Sequence, residues 1–140
     1  MILGIGVDIA ETFRFKEWKD YSKERLLKIF SEPELSYLKK EQGASMEEFF
    51  ASRFAAKEAF FKALSNALMS LKLTKEGFSF EFARCYIEVI KSTWDIPILR
   101  INWKAFEEKI GAILPKIKVH LSLSHEKSVA VAFVILSLDV

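Results

Sequence analysis

The first stretch of the chain, from Ile2 to Asp8, alternates between two kinds of position, as a β-strand does. One face of this predicted strand is apolar, whereas the opposite face consists of two glycines, Gly4 and Gly6, followed by the carboxylate of Asp8. Glycine within a strand often marks the close approach of a ligand or of another segment of backbone. We therefore expect an acidic side chain at the edge of a surface that something else approaches closely.

Helical periodicity dominates the rest of the first half. Residues 12–30 alternate charged and apolar positions in a pattern that predicts one or two short helices. Ser31-Glu32-Pro33-Glu34 has the spacing of a capping box and opens a predicted helix that runs to about Gln42. A second capping box, Ser45-Met46-Glu47-Glu48, opens the longest predicted helix, from about Met46 to Leu71.

The second half of the sequence shows mainly the two-residue period of strands. Phenylalanines alternate with other residues over 78–83, and Tyr86 to Ile90 continues in strand-forming residues, so extended structure is predicted there. Ile96 to Trp103 is predicted to be a further strand, and the proline near its start predicts an edge position. Lys104 to Leu114 suits a helix that Pro115 ends.

A hairpin is predicted at the end of the sequence. Residues Ile117 to Ser124 alternate apolar and polar side chains, and a polar turn over 125–127 leads into Val129 to Leu138. The last strand is apolar on both faces, which predicts a central position in a sheet or burial against another subunit. With helices crowded in the first half and strands mostly in the second, the chain is predicted to be an α+β protein.

Composition favours one globular domain spanning residues 1–140. Hydrophobic residues make up 51% of the chain and include 13 Phe, most of them at helical or strand periodicity, so we predict that they form core. The formal net charge of +2 is too near neutrality to indicate nucleic-acid binding. The longest apolar run, Val129 to Leu136, is far shorter than the roughly 20 residues that a membrane-spanning helix needs, so no membrane partner is expected.

The cellular compartment is predicted from the single cysteine and the first residues. Cys85 has no second cysteine to pair with, which excludes a disulfide framework within the chain and fits a reducing compartment. The sequence opens on a short strand-like run and not on a basic leader followed by a long apolar stretch, so we expect no signal peptide. Both features predict a cytoplasmic protein.

Charge is unevenly distributed around the first predicted helices. From Arg14 to Lys28 the sequence holds six basic residues against three acidic ones. One interpretation is a solvated helix face, which is the usual meaning of an isolated charge cluster. The other is a docking surface for an acidic partner, and the residues alone leave both interpretations open.

The longest predicted helix carries charged residues among phenylalanines and alanines. Glu58 and Lys62 lie one turn apart on one face, and Arg53 and Lys57 form a second pair. The simpler interpretation of Glu58 and Lys62 is an ion pair worth about 0.2–0.5 kcal/mol. The alternative adds Asp8 as a second acid, because two carboxylates with waters and substrate phosphates suit Mg²⁺. Lys62 would then neutralise a diphosphate, although periodicity alone does not place Asp8 beside Glu58.

Three blocks of sequence carry a resemblance to a known family. They read Gly4-Ile5-Gly6-Val7-Asp8-Ile9-Ala10-Glu11, then Arg53-Phe54-Ala55-Ala56-Lys57-Glu58-Ala59-Phe60-Phe61-Lys62-Ala63, then His120-Leu121-Ser122-Leu123-Ser124-His125 followed by Val129-Ala130-Val131-Ala132-Phe133-Val134-Ile135. In this order, and with Glu58 fifty residues after Asp8, they resemble the holo-acyl-carrier-protein synthase family. The resemblance implies the 4'-phosphopantetheinyl transferase-like fold, in which a long helix packs on an antiparallel sheet.

The resemblance also implies an activity. Members of the family transfer 4'-phosphopantetheine from coenzyme A to a serine of apo acyl carrier protein, release 3',5'-ADP and depend on Mg²⁺, in support of fatty acid biosynthesis. Asp8 and Glu58 match the two magnesium ligands, and Lys62 matches a lysine at the coenzyme A diphosphate. Glu58 and Lys62 are thus the implied catalytic residues, and either Glu58 or a water relay accepts the serine proton.

Further contacts follow from the same resemblance. Arg14 and Arg25 are implied docking residues for the acidic carrier protein, and family members are homotrimers with active sites between subunits. His120, whose strand neighbours of the same parity are polar, is expected to face solvent or an interface. The implied coenzyme-binding residues are Arg53, Lys57, Lys62, Ser65, Ser124 and His125.

The chain departs from the family pattern after the core of the long helix. Ser65-Asn66-Ala67 stands where the family usually has a Gly-Thr-Gly turn against the coenzyme, so we expect the helix to run on and Ser65 or Asn66 to supply side-chain hydrogen bonds instead. A glycine–proline segment of a later strand is also poorly recognisable around 95–99. Two alternatives to the synthase therefore stay open: a magnesium-dependent nucleotide-diphosphate hydrolase and a non-catalytic carrier-binding module.

Overall fold

The structure is a computed structural model that describes residues 1–38, 46–73 and 77–140. The strands of this part of the chain are β1 (Ile2–Glu11), β2 (Ile87–Lys91), β3 (Pro97–Ile101), β4 (Ile117–His125) and β5 (Val129–Leu138). Its α-helices are α1 (Lys23–Leu26), α2 (Glu32–Leu38), α3 (Met46–Ser70), α4 (Phe80–Ala83) and α5 (Trp103–Ile110). Short 3₁₀-helices lie at Thr12–Phe15, Trp18–Asp20 and Arg84–Tyr86.

The strands form two antiparallel sheets. The larger sheet has the order β1-β5-β4, and the smaller one pairs β2 with β3. The predicted C-terminal hairpin is confirmed as β4 and β5, and β5 lies between the other two strands of its sheet, as its two apolar faces predicted. Pro97 begins β3, a position that tolerates its missing N–H.

Helix α3 packs against β1 and β5 on one face of the larger sheet. Gly4 and Gly6 permit this packing, because a Cβ on Gly4 would overlap the carbonyl oxygen of Ala63 and a Cβ on Gly6 would overlap that of Ala59. The close approach predicted for the glycine face of β1 is therefore an approach of helix backbone. As a consequence, the end of β1 that carries Asp8 is held against α3.

Phenylalanine side chains fill much of the core, as their periodicity predicted. Helix α3 is buried along most of its length, against the sheet on one side and aromatic rings on the other. Despite this apolar character, no helix within residues 1–38, 46–73 and 77–140 is both long and apolar enough to cross a membrane. The buried phenylalanines are Phe15, Phe30, Phe49, Phe50, Phe54, Phe60 and Phe106.

Residues 78–83 depart from the predicted strand, since they contain the short helix α4. Ser79 caps this helix, and its side chain accepts a hydrogen bond from Phe82 N at 3.1 Å. The rings of Phe78 and Phe82 both contact Phe106, with centroid separations of 5.3 and 5.9 Å. Phe78 precedes the cap of α4 and Phe82 lies within the helix, so the turn at Ser79 brings both rings to one partner, which two-residue alternation alone did not reveal.

Two other boundaries show how local chemistry ends or begins a helix. Helix α5 ends at Gly111, which adopts the left-handed conformation (φ 70°), so it stops before the predicted terminator Pro115. The first capping box is confirmed: Ser31 N donates to Glu34 Oε1 at 2.9 Å, and Glu34 N donates to Ser31 Oγ at 3.3 Å. The predicted helix end at Gln42 and the second N-cap, Ser45, lie outside the described residues.

Candidate active site

Asp8 lies near the end of β1, where Lys62 of α3 reaches it. The Lys62 ammonium lies 3.1 Å from Asp8 Oδ1 and donates to the carbonyl oxygen of Val7 at 3.1 Å. The Asp8 side chain is 14% exposed and the Lys62 side chain is 51% exposed. The pair therefore joins a largely buried acid to a cation that keeps half of its surface open to a ligand.

Asn66, one turn after Lys62, makes a second contact with the same edge strand. Its Oδ1 accepts a hydrogen bond from Ile5 N at 3.2 Å, so side chains of α3 satisfy one donor and one acceptor of the β1 backbone. The predicted continuation of α3 through Ser65-Asn66-Ala67 is confirmed, and the hydrogen bond of Asn66 goes to β1. Ser65 is exposed and donates to the Phe61 carbonyl oxygen at 2.8 Å, so its predicted coenzyme contact stays a prediction.

Glu58 lies within electrostatic reach of Asp8. Burial raises the pKa of Glu58, and the charge of Asp8 raises this pKa further, whereas Lys62 and Arg14 act in the opposite direction. Two acids and two cations thus share one electrostatic neighbourhood, which the periodicity of the sequence alone did not establish. A carboxyl group with a raised pKa is better suited to accept and return a proton near neutral pH.

The donor set fits Mg²⁺ bound together with substrate phosphates. Asp8 and Glu58 offer carboxylate oxygens, and a divalent cation bound between them would offset the burial and the charge of Asp8 that raise the pKa of Glu58. Across residues 1–38, 46–73 and 77–140 there is no group of three or more His, Cys, Asp or Glu side chains that could hold a metal. An ion that keeps waters and takes phosphate oxygens as ligands matches this sparse set better than one that needs an all-protein cage.

Arg14 connects this neighbourhood to the basic segment. Its guanidinium lies 5.6 Å from the ring centroids of both Phe15 and Phe54, and its charge acts on Glu58. Arg25 lies further along the same segment, 3.6 Å from the centroid of the Tyr21 ring. Both predicted docking residues are therefore cations positioned on aromatic rings, with Arg14 the nearer to the acids.

Lys57 is not available to coenzyme phosphates, which corrects the role predicted for it. Its side chain is 1% exposed, and its ammonium donates to the carbonyl oxygen of Ile29 at 2.6 Å, to Glu34 Oε1 at 2.8 Å and to the carbonyl oxygen of Arg84 at 3.2 Å. An ammonium has three protons, so these contacts use all of its donor capacity. Burial lowers the pKa of Lys57, and the charge of Glu34 opposes that change. We therefore assign Lys57 a structural role.

Only part of the structural role of Glu34 was predicted from the sequence. Its side chain is 0% exposed, and besides capping α2 it accepts from Lys57 through Oε1 and from Val89 N through Oε2 at 3.0 Å. This one carboxylate joins α2, α3 and β2. The capping-box spacing identified its local bond, but no sequence signal indicated that the same carboxylate would neutralise a buried lysine.

Arg53 lies toward the first half of α3 and away from Lys62. Its side chain is buried, with Nη1 3.0 Å from Ser52 Oγ and the guanidinium 4.4 Å from the centroid of the Phe49 ring. Nine residues of helix separate it from Lys62, which corresponds to about 14 Å along the axis. Within one chain, the two residues predicted to hold the same coenzyme are therefore well apart.

Ser124 and His125 lie at the same distant end of α3. His125 Nδ1 is 3.8 Å from Glu48 Oε2, and Glu48 precedes Lys62 by about 21 Å of helix axis. Ser124 pairs with Val131 on the opposite face of the strand from His125. The structure of one chain thus brings Asp8, Glu58, Lys62 and Arg14 together but leaves Ser124 and His125 apart from them.

Comparison with known proteins agrees with the architecture of this site. In this chain a long helix packs on an antiparallel sheet, and Asp8, Glu58 and Lys62 lie where the two meet. The chain belongs to the 4'-phosphopantetheinyl transferase superfamily, whose sequence profile matches residues 4–134. The family resemblance stated from the sequence blocks is confirmed.

Individual relatives span nearly the whole chain. It is 39% identical over 140 residues to holo-[acyl-carrier-protein] synthase of Treponema denticola, covering 97% of this chain and 98% of that protein. The synthase of Clostridium tetani is 35% identical over 136 residues, covering 97% and 96%. The structure of the Bacillus anthracis synthase in complex with CoA (3',5'-ADP) aligns with a TM-score of 0.71 at 34% identity, covering 99% of both chains. The predicted fold is confirmed.

Proposed function

We propose that this protein transfers the 4'-phosphopantetheine group of coenzyme A to a serine of apo acyl carrier protein and releases 3',5'-ADP. The observation that carries the proposal is the contact of Lys62 with Asp8 beside Glu58. These three residues fall within the segment that matches the superfamily. Their chemistry suits a diphosphate, because acids that accept a divalent cation stand next to a lysine with exposed surface.

The reaction requires little covalent work from the protein. The serine oxygen of the carrier forms a bond to the β-phosphorus of coenzyme A, the bond from that phosphorus to the bridging oxygen breaks, and 3',5'-ADP departs with the bonding electrons. Positioning and charge neutralisation therefore dominate catalysis. Lys62 would donate to the diphosphate oxygens, and its bond to Val7 O fixes the direction from which it approaches.

Asp8 and Glu58 would hold Mg²⁺, which when bound supplies positive charge at the diphosphate. Glu58 is also a candidate acceptor for the serine proton, since burial and the charge of Asp8 raise its pKa. A water relay that passes the proton to solvent is the alternative acceptor. Arg14, whose charge acts on Glu58, would contact the incoming carrier and help to bring its serine to the acids.

We also propose that the protein assembles as a homotrimer. The outer face of the larger sheet is unusually apolar, since Ile5, Val7 and Ile9 of β1 are 53%, 52% and 65% exposed and Phe133 of β5 is 41% exposed. Exposed apolar patches of this kind favour subunit contact. Assembly would bring Arg53, Ser124 and His125 of one subunit to the Lys62 end of another, and the number of subunits rests on the family resemblance.

Several finer features belong to the same proposal. Residues 1–140 act as a single transferase domain, the carrier protein docks on Arg14 and Arg25, and the reaction takes place in the cytoplasm in support of fatty acid biosynthesis. The guanidinium groups of Arg14 and Arg25 both lie over aromatic rings, and they supply positive charge that an acidic partner would contact.

The proposal is tested by intact-mass measurement of an apo acyl carrier protein after incubation with the protein, coenzyme A and Mg²⁺. We expect the carrier to gain one phosphopantetheine group, and EDTA to abolish the gain. Release of 3',5'-ADP in the absence of any carrier would instead identify a hydrolase. Binding of coenzyme A without modification of several apo carriers would identify a non-catalytic binding module.

A further inference from the structure

The strand that carries Asp8 lies at an edge of the larger sheet, and side chains of α3 bond to that edge. Within the described part of the chain, β1 pairs with β5 on one side and with no strand on the other. Ile5 N donates to Asn66 Oδ1 at 3.2 Å, and the Val7 carbonyl oxygen accepts from the Lys62 ammonium at 3.1 Å. These two side chains therefore bond to backbone groups that a neighbouring strand would otherwise use.

The two contacts match the spacing of a helix to the spacing of a strand. Lys62 and Asn66 are four residues apart on α3, which is about 6 Å along the helix axis. Val7 and Ile5 are two residues apart on β1, which is about 6.8 Å along the strand. Because the residue numbers rise along the helix and fall along the strand, the two elements are antiparallel. Together the two bonds limit how far one element slides along the other.

Packing between α3 and β1 sets their distance more than their register. Gly4 and Gly6 approach the helix so closely that a Cβ on either would overlap the carbonyl oxygen of Ala63 or Ala59. Backbone and methyl groups bring the two surfaces together, but they include no long side chains that interlock. The directional contacts at the edge of the sheet therefore carry much of the alignment of β1 along α3.

The contact of Asn66 contributes more to the position of β1 than to stability. Its side chain is exposed, and a backbone N–H donates only to the amide oxygen, so Oδ1 faces the strand. Water would replace the bond if it were removed, and no buried polar group would be left unsatisfied. Loss of this bond should therefore change the geometry of the strand without unfolding the protein.

We infer that Asn66 is a positioning residue, which by holding Ile5 keeps Asp8, three residues further along the same strand, in contact with Lys62. This inference rests on the proposed function, which gives Asp8 and Lys62 their roles at the diphosphate. Asp8 Oδ1 lies 3.1 Å from the Lys62 ammonium, so a slide of one strand residue, about 3.4 Å, would separate the two groups. Asn66 acts through Asp8 and makes no contact with the coenzyme, in contrast to the side-chain hydrogen bond expected here from the sequence.

The test compares Asn66→Ala with Ser70→Ala in the full-length protein. Both substitutions remove an exposed polar side chain from α3, but the hydrogen bond of Ser70 lies within the helix, to the Asn66 carbonyl oxygen at 3.3 Å. Alanine is a better helix former than either residue, so both variants should fold. In Asn66→Ala we expect about fivefold faster hydrogen exchange of the Ile5 amide, measured by NMR, and about fivefold weaker binding of Mn²⁺ with coenzyme A. Ser70→Ala should stay within about twofold of the unmodified protein in both measurements.

A third variant and a second ligand measurement test whether the amide oxygen acts by position. Asn66→Asp keeps an oxygen in place of Oδ1, so its Ile5 amide should exchange as slowly as that of the unmodified protein. Exchange as fast as in Asn66→Ala would overturn the inference, because the oxygen would then not hold the strand. Weaker binding of coenzyme A to Asn66→Ala without a divalent cation, measured by titration calorimetry, would also overturn it by identifying a direct contact with the coenzyme.

The outcomes separate this inference from the proposed function. Unchanged Mn²⁺ affinity in Asn66→Ala would overturn the positioning role even if phosphopantetheine transfer occurs normally. Conversely, faster Ile5 exchange and weaker Mn²⁺ binding in Asn66→Ala would support that role even if the unmodified protein binds Mn²⁺ and transfers nothing, a result that would remove the proposed activity alone.

Discussion

Helix α3 carries two lysines, Lys57 and Lys62, whose side chains differ in exposure and in the partners of their ammonium groups. Lys57 is 1% exposed and all of its donor capacity is used by Ile29, Glu34 and Arg84. Lys62 is 51% exposed and reaches Asp8 and the Val7 carbonyl oxygen at the surface. Five residues place the two side chains about 140° apart around the helix, so one faces the interior and the other the edge of β1.

The comparison distinguishes a buried ammonium whose three protons are all used within the chain from a half-exposed ammonium that can still contact a ligand. Replacing one partner of a buried ion pair leaves the other partner charged and desolvated, which is strongly destabilising. A half-exposed pair contributes little to stability, because solvent screens it and the charges remain hydrated when separated. The Glu34–Lys57 pair should therefore govern folding, and the Asp8–Lys62 pair should govern transfer.

The largest expected effect is on stability. Lys57→Met leaves the Glu34 carboxylate buried without its cation, and we expect the free energy of unfolding to fall by about 3–5 kcal/mol in urea denaturation. Lys62→Met is the matched control on the same helix and should change that free energy by at most about 1 kcal/mol. Equal losses in the two variants would contradict the division of roles.

The order of the two variants should reverse when the rate of transfer is measured, with Lys62→Met now the more impaired. Lys62→Met removes the cation that we propose acts on the diphosphate, so the rate of transfer should fall by about 10²–10³-fold. Lys57→Met, assayed at a temperature where it is folded, should retain most of the rate. A Lys62→Met protein with an unchanged rate would place the diphosphate elsewhere.

A smaller loss of stability is expected from a substitution where β1 packs against α3. Gly6→Ala introduces a Cβ that overlaps the carbonyl oxygen of Ala59, so the strand must move away from the helix, at a cost of about 1–3 kcal/mol. Because that movement separates Asp8 from Lys62, activity should fall as well. Gly77→Ala is the control, since a Cβ there meets no atom within 4 Å. An unchanged melting temperature for Gly6→Ala would show that the close packing is not needed.

The smallest effect concerns the pH dependence of stability. Burial and Asp8 raise the pKa of Glu58 above its ordinary value of 4.5, so the folded protein binds this proton more tightly than the unfolded chain. Stability from this group is thus present at low pH and is lost as pH rises through the folded pKa. Glu58→Gln should melt at a higher temperature than the unmodified protein at neutral pH, and the difference should vanish below about pH 4.5.

The exposed Glu108→Gln on α5 serves as the control for Glu58→Gln. Its melting curve should follow that of the unmodified protein at every pH. A Glu58→Gln protein that melts lower than the unmodified protein at neutral pH would indicate that the ionised carboxylate stabilises the fold, which is the opposite of the proposed repulsion by Asp8.

Sequence reasoning identified the faces of β1, the long helix and the final hairpin, because alternation and capping signals act locally. It assigned both Lys57 and Lys62 to the coenzyme, because helical spacing does not reveal that Lys57 meets a buried acid 23 residues earlier in the sequence. The alternation of Phe78, Phe80 and Phe82 suggested a strand, whereas packing on Phe106 and the cap at Ser79 select a helical turn. Both errors have one cause, because a contact with a residue distant in sequence outweighs the local pattern: Glu34 for Lys57, and Phe106 for the phenylalanines.

The residues predicted to bind the coenzyme also could not be located relative to one another from the sequence. Family blocks pointed to Lys62 and His125 together, but His125 pairs with Glu48 near the first turn of α3. A sequence motif carries no information on which subunit supplies each residue. Within one chain His125 and Lys62 lie far apart along α3. The proposal that both bind one coenzyme therefore requires the assembly of subunits.

We propose above all that Asp8 and Glu58 form a divalent-cation site. The most direct test is electron paramagnetic resonance of free and bound Mn²⁺, used in place of Mg²⁺, with the full-length protein and coenzyme A. We expect bound Mn²⁺ in the unmodified protein and an affinity at least about 100-fold weaker in Asp8→Asn, while Asp139→Asn, at an exposed carboxylate, binds normally. Unchanged Mn²⁺ affinity in a folded Asp8→Asn protein would contradict the claim.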